Sequence, residues 1–199
     1  MTFAGAIDRA LTVVVTATTL TSAGWIVFGG SLVGDAHAPA KPAARAPVAV
    51  GEPVADIALQ VPVQGVGAAE LRDSFADRRD AGSRPHEAID IPAPAGTPVL
   101  AAAAGTVEKL FLSKAGGLTI YVRSPDRRLI AYYAHLEAYA PGLAAGQQVA
   151  RGQQIGTVGS SGNADSAVPH LHFAIMQADP AAGWWQPGKP INPYPLLVR

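Results

Sequence analysis

The chemically most promising residues of this 199-residue chain are its five histidines, four of which lie in the last 114 positions: His86, His135, His170 and His172. The fifth, His37, sits in a Pro/Ala-rich stretch and reads as inert. In His170-Leu171-His172-Phe173-Ala174-Ile175, strand alternation puts both imidazoles on one face and Leu171 and Phe173 on the other. A lone histidine is most often a hydrogen-bonded polar residue at the edge of a core. Two partly buried imidazoles side by side need partners or a metal ion. His86-Glu87-Ala88-Ile89-Asp90 adds another histidine with a carboxylate four residues on. It superficially matches the helical His-Glu-x-x-His zinc motif, but Pro92 and Pro94 follow at once and oppose a continuing helix. Ile89 and Ile91 instead alternate around Asp90 as in a strand entering a core, which leaves Glu87 an exposed neighbour. Asp90 alone would be a turn carboxylate. With His86 and the two strand histidines it becomes a candidate zinc ligand.

Composition removes several rival chemistries. Fifteen Lys and Arg balance fifteen Asp and Glu, so no basic field exists for binding nucleic acid. The absence of cysteine excludes disulfide scaffolds, Cys-ligated zinc and thiol nucleophiles. No Gly-x-Ser-x-Gly, Ser-x-x-Lys or phosphate-binding Gly-x-x-x-x-Gly-Lys-Ser/Thr motif occurs.

Three segments position these residues. Residues 10–34 hold no charge. As a helix they would run about 37 Å, enough to cross a hydrocarbon core of about 30 Å. The expectation for residues 1–35 is therefore an N-terminal transmembrane helix, with a cleaved signal peptide as the alternative, marked by the small residues Ala36 and Ala38. Residues 36–55 form a linker: Ala36 to Pro53 contains four prolines and seven alanines and cannot build a core. Residues 56–199 are then one globular domain. Its apolar runs are short and bounded by turn residues: Thr97–Ala103, Leu118–Arg123, Leu129–Leu136, Gln147–Val149, Gln154–Val158 and Leu171–Gln177. This spacing predicts an all-β fold, an antiparallel β-sheet or sandwich. Ala68–Asp77 is the only short helix expected. Trp184-Trp185 reads as packing of the C-terminal segment, with sugar stacking as the alternative.

The order His86-x-x-x-Asp90, Gly96-Thr97-Pro98-Val99, Gly105, Tyr133-Ala134-His135-Leu136, Val149-x-x-Gly152-Gln153-x-Ile155-Gly156 and His170-Leu171-His172-Phe173 resembles the LytM/lysostaphin-type zinc metallopeptidases. The likeness runs from about Val61 to Tyr194. It implies a compact β fold whose groove binds one Zn2+ and hydrolyses peptide bonds of bacterial cell-wall peptidoglycan. It also implies the ligand set His86, Asp90 and His172, with His135 and His170 as catalytic histidines. Three protein ligands leave a position for water, the arrangement of a catalytic zinc. The two histidines would orient or deprotonate that water, stabilise the oxyanion and protonate the leaving amine, in an order the sequence does not fix. The chain departs from the family pattern at Ala88 and Ala174. It also has no tyrosine within Ser74–Pro85 where some members carry one.

Further groove candidates are Tyr133, which shares strand parity with His135, the polar loop residues Asn163 and Asp165, and Arg84, which could meet a substrate carboxylate. The expected protein is a membrane-anchored, extracytoplasmic zinc endopeptidase with peptidoglycan as its substrate, or the same enzyme secreted after signal cleavage. The alternative is a catalytically silent LytM-type activator of a cell-wall amidase.

Overall fold

A computed structural model describes residues 59–79 and 82–199. The anchor expected over residues 1–35 and the linker over 36–55 lie outside the described residues. Among the described residues no helix is long and apolar enough to cross a membrane.

The short apolar runs form antiparallel strands. In chain order these are β1 (Arg78–Arg79), β2 (Arg84–Pro85), β3 (Ile89–Pro92), β4 (Pro98–Leu100), β5 (Gly105–Ser113) and β6 (Gly117–Arg123). They continue as β7 (Leu129–Tyr139), β8 (Gln148–Val149), β9 (Gln154–Val158), β10 (His170–Gln177) and β11 (Lys189–Ile191). A four-residue helix, α1 (Tyr194–Leu197), ends the described chain. Strands β1 and β2 make a separate ribbon, and the other nine form one sheet with β11-β10-β7-β6-β5-β8 as its spine. Every strand pairing is antiparallel. The all-β antiparallel fold expected from the sequence is the one formed.

Two strands organise the site. One edge of β10 pairs with β3, putting His172 opposite Asp90, and the other pairs with β7, putting His172 opposite Ala134. Period-two alternation sends Leu171 and Phe173 from β10, and Ile89 and Ile91 from β3, into the core, all at most 1% exposed. His170, His172 and Asp90 consequently face the other way. Burying those four large side chains contributes about 1.5–3 kcal/mol each, which fixes the register: a one-residue slip would put the histidines in the core.

Three elements differ from expectation. Ala68–Asp77 is not a helix but a single 3-10 turn at Ala68–Glu70, because Leu71 turns extended (φ −74°, ψ 143°) and goes into the core. Strand β5 escapes the alternation test because its register shifts between Val107 and Lys109 at a bulge, so the apolar period changes partway. Strand β11 and α1 are too short for periodicity to register.

One buried charge holds the C-terminal segment. The Arg123 side chain, 2% exposed, pairs with Glu108 and donates to the carbonyls of Arg127 and Ala182, each at 2.9 Å. Trp184 packs nearby against Phe111 and Tyr121, with ring centroids 5.2 and 5.1 Å away.

Candidate metal centre

Asp90 and His172 meet across the β3–β10 pair, and His86 joins them from just before β3. Glu87 adopts a left-handed conformation (φ 59°) that turns the chain between His86 and the strand. His86 is thereby buried, at 5% exposure, while Glu87 stays exposed. His86 Nε2 lies 3.0 Å from Asp90 Oδ1 and 3.0 Å from His172 Nδ1, and His172 Nδ1 lies 3.1 Å from Asp90 Oδ1. A tetrahedral ion with bonds of about 2.0–2.1 Å spaces its ligands by about 3.3 Å, so this triangle is close to the size one ion requires. His86, Asp90 and His172 are the group that could hold a metal among the described residues.

The surroundings favour a cation there. His86 Nδ1 donates to the Ser74 carbonyl at 2.9 Å, since a carbonyl can only accept, and this leaves the Nε2 lone pair pointing into the cluster. Ser74 Oγ accepts the Asp90 backbone N–H at 3.1 Å, so one residue backs two of the three ligands. A positive group already reaches the cluster: the Arg79 guanidinium pairs with Asp90 and lies 3.1 Å from His86 Nε2. Burial disfavours the Asp90 charge, but hydrogen bonds and charge interactions with His172 and His86 outweigh it and hold the carboxyl far below its usual range. Burial holds His172 below the ordinary histidine value despite Asp90. A carboxylate and two imidazoles are the donor set a divalent ion such as zinc takes.

Two more imidazoles share the face. His170 follows from strand alternation, with Nε2 3.8 Å from Asp90 Oδ1. His135 arrives by a different route. On β6 Leu118 and Ile120 are two apart, whereas their partners on β7, Leu136 and Tyr133, are three apart. This bulge carries His135 at φ 59° and turns its ring toward the groove, 5.0 Å from that of His170 and 5.6 Å from that of His172. His135 Nδ1 donates to Ser161 O at 2.8 Å and His170 Nδ1 to Val168 O at 2.9 Å. In each ring Nε2 is therefore the nitrogen not tied to a carbonyl. Burial holds His135 below the ordinary histidine value against the opposing pull of its Ser161 hydrogen bond, so it is neutral at pH 7.

These rings line a groove of about 470 Å³ together with Arg79, Arg84, Tyr132, Asn163 and Asp165. Arg84, Asn163 and Asp165 are thus at the groove as placed from sequence. Tyr133 is not. The bulge breaks the parity between positions 133 and 135, and Tyr133 is fully buried, its hydroxyl accepting the Ala102 N–H at 2.9 Å. Its neighbour Tyr132 takes the groove position, with its ring 6.0 Å from that of His172. Burial, reinforced by Tyr121, pushes the Tyr132 phenol well above its usual value, so it remains a neutral donor. Sequence reasoning also missed Arg79 and Ser74. The available clue was the density of polar residues just ahead of His86.

An antiparallel sheet presenting a His/Asp/His cluster and two further imidazoles to one groove defines a candidate hydrolytic metal site. The chain belongs to peptidase family M23, whose profile matches residues 84–193. It is similar to the L-Ala–D-Glu endopeptidase of Bacillus subtilis, 36% identical over 132 residues covering 63% of this chain and 39% of that protein. It therefore spans about two-fifths of that relative's length. Among solved structures, the lysostaphin catalytic domain from Staphylococcus simulans aligns with TM-score 0.54 and 26% identity, over 66% of this chain and 96% of that one. Helicobacter pylori Csd3 aligns with TM-score 0.54 and 29% identity, over 70% of this chain and 34% of that one. These likenesses agree with the all-β fold and with the LytM/lysostaphin resemblance read from the sequence.

Proposed function

We propose that this chain is a zinc-dependent endopeptidase that hydrolyses peptide bonds in bacterial cell-wall peptidoglycan. The observation that carries this is the near-equilateral donor triangle of His86, Asp90 and His172, with edges of 3.0–3.1 Å, beside two imidazoles whose Nδ1 atoms are tied to carbonyls. Relatives named as endopeptidases supply the reaction class.

A zinc ion held by the three ligands would supply Lewis-acid activation of water and of the scissile carbonyl. The other tasks fall to this chain's side chains. His135, held neutral by burial, accepts a proton at Nε2. His170, across the ring pair, shares proton transfer to the leaving amine through its own Nε2. Tyr132, a neutral phenol lining the groove, would donate a hydrogen bond to developing negative charge. The carbonyls of Ser161 and Val168 fix both imidazole tautomers, so the rings need no reorganisation during the reaction.

The uncharged stretch over residues 10–34 supports the same reading of location: a catalytic domain over 56–199, tethered by 36–55, on the extracytoplasmic side of a membrane. A retained anchor keeps the enzyme beside its substrate, and signal cleavage would release it.

The test is digestion of purified sacculi by the full chain, scored as new amino termini. Release that stops with a chelator and in His135→Ala supports the endopeptidase. No release from several wall types by zinc-loaded protein overturns it and favours the amidase-activator alternative, which is then tested with an added amidase.

A further inference from the structure

The groove face of the sheet carries a row of aromatic rings that starts beside the metal centre and ends in solvent. The ring of Tyr132 on β7 lies 6.0 Å from that of His172, Tyr121 on β6 lies 4.8 Å from Tyr132, and Trp184 lies 5.1 Å from Tyr121. Trp185 follows at 6.1 Å, its ring nearly perpendicular to that of Trp184. The two tryptophans divide the two readings the sequence allowed. Trp184 packs, held between Tyr121 and Phe111 with the Lys109 ammonium 5.5 Å from its ring centre. Trp185 is 71% exposed.

Exposure alone would mark only a surface side chain, but the position of Trp185 is built. Gly183 to Gln186 form a tight turn with the tryptophans at its two central positions. The Gln186 N–H donates to the Gly183 carbonyl at 3.1 Å, and the Gly183 N–H donates to Gln186 Oε1 at 2.7 Å. The buried Arg123 anchors the entry to this turn by donating to the Ala182 carbonyl at 2.9 Å. The Trp185 ring lies so close to Gly183 that a β-carbon there would stand 2.5 Å from two of its atoms. A large ring fixed before binding loses little entropy when a ligand covers it. The area offered sets the kind of ligand: a stable protein interface takes about 800 Å² from each partner, whereas one tryptophan supplies about 150–250 Å². A ring-sized ligand fits this area. The negative face of an indole attracts the polarised C–H hydrogens on the flat side of a pyranose.

We infer that Trp185 is a stacking site for the sugar chain that carries the peptide, placing the glycan on the Gly183–Gln186 turn while its attached peptide enters the groove. Trp184 lies over β6 and β5, two to three strands from β10, or about 10–14 Å. About three or four extended residues span that distance. The inference rests on the endopeptidase reading for the attached peptide, yet it concerns binding of the sugar.

The probe is L-alanyl-γ-D-glutamyl-L-lysyl-D-alanine labelled with fluorescein on the lysine, its amino terminus either acetylated or joined to N-acetylglucosaminyl-N-acetylmuramic acid. Binding is read by anisotropy with the zinc-loaded full chain carrying His135→Ala, so that nothing is consumed. The disaccharide form should bind about two- to tenfold tighter than the acetylated form. Trp185→Ala should abolish that ratio and leave the affinity for the acetylated peptide unchanged. Gly183→Ala, which keeps the indole but displaces it, should do the same, and Trp185→Tyr should retain part of the ratio. Equal binding of both forms, no measurable binding of either, or a ratio that survives Trp185→Ala overturns the stacking site. So does a wild-type dimer that Trp185→Ala dissociates in sedimentation, because the turn would then be covered by a second copy. Sacculus digestion by the chain with His135 intact separates the two claims. Digestion without a sugar-dependent ratio sinks the stacking site alone, and the ratio without digestion sinks the endopeptidase reading alone.

Discussion

Ser74→Ala isolates the support beneath the metal ligands. Ser74 is 4% exposed, and its Oγ accepts the Asp90 backbone N–H at 3.1 Å while its carbonyl accepts His86 Nδ1 at 2.9 Å. Alanine keeps the carbonyl and removes only the hydroxyl, so the perturbation falls on Asp90. Losing that hydrogen bond costs about 1 kcal/mol if water replaces it and up to about 3 if the N–H is left bare. For a domain of roughly 140 residues the unfolding entropy is about 0.3 kcal/mol per kelvin, so the metal-free midpoint should fall by about 3–10 °C. Loosening an outer-shell contact to a ligand typically weakens metal binding by about 10- to 100-fold. Thermal unfolding of the metal-free chain gives the first quantity, and zinc competition against a chromophoric chelator gives the second. Ser74→Thr, which retains the hydroxyl, should lie near wild type in both. An unchanged zinc affinity with a lowered midpoint would refute the positioning role and leave Ser74 a purely structural residue.

Arg123→Ala leaves the mostly buried Glu108 carboxylate with the longer Arg127 contact at 3.8 Å and bares several carbonyls, and should cost up to about 3–5 kcal/mol in chemical denaturation. A loss below about 1 kcal/mol would show that Arg123 is not the anchor described. The metal-free chain should lose stability as pH falls from 7 to 5. Burial keeps His135 and His172 below the ordinary value of 6.5, so the unfolded chain takes up protons there that the folded chain does not. His135→Gln should flatten that slope, and an unchanged slope in the variant contradicts the assignment. Gly117→Ala should lower both stability and peptide release. Gly117 sits at φ 64°, and a β-carbon there would strike the backbone of Ser161, whose carbonyl orients His135. Left-handed backbone alone costs about 1–2 kcal/mol for alanine, so wild-type stability and turnover in this variant would contradict the packing described.

How much of the site was legible depended on whether strand parity held. Along β3 and β10 it held without interruption, so spacing alone put His170 and His172 on one strand face and Asp90 on the face opposite Ile89 and Ile91, and the β3–β10 pairing joins the two faces. At His135 it failed, because the bulge on β7 inserts one residue between the partners of Leu118 and Ile120. Parity then pointed to Tyr133, and the residue brought to the groove is Tyr132. The sequence gives a bulge no local mark here, since His135 supplies the positive φ that a glycine would have announced. Ser74 and Arg79 were invisible for another reason. Their importance comes from a loop and a ribbon folding back onto β3, a contact that no local period encodes. The core was easier to read. Val99, Ile120, Val122, Leu136, Ile155 and Val158 fall within expected apolar runs and are at most 3% exposed.

The proposed chemistry requires that His86, Asp90 and His172 together hold one metal ion. Elemental analysis of the full chain after dialysis against metal-free buffer tests it directly, with Asp90→Ala and His172→Ala beside the wild type and circular dichroism confirming that each is folded. About one zinc per wild-type chain, and little or none in either folded variant, is the expected result. A folded wild type without metal after exposure to zinc, or variants that retain it in full, would contradict the assignment of the centre.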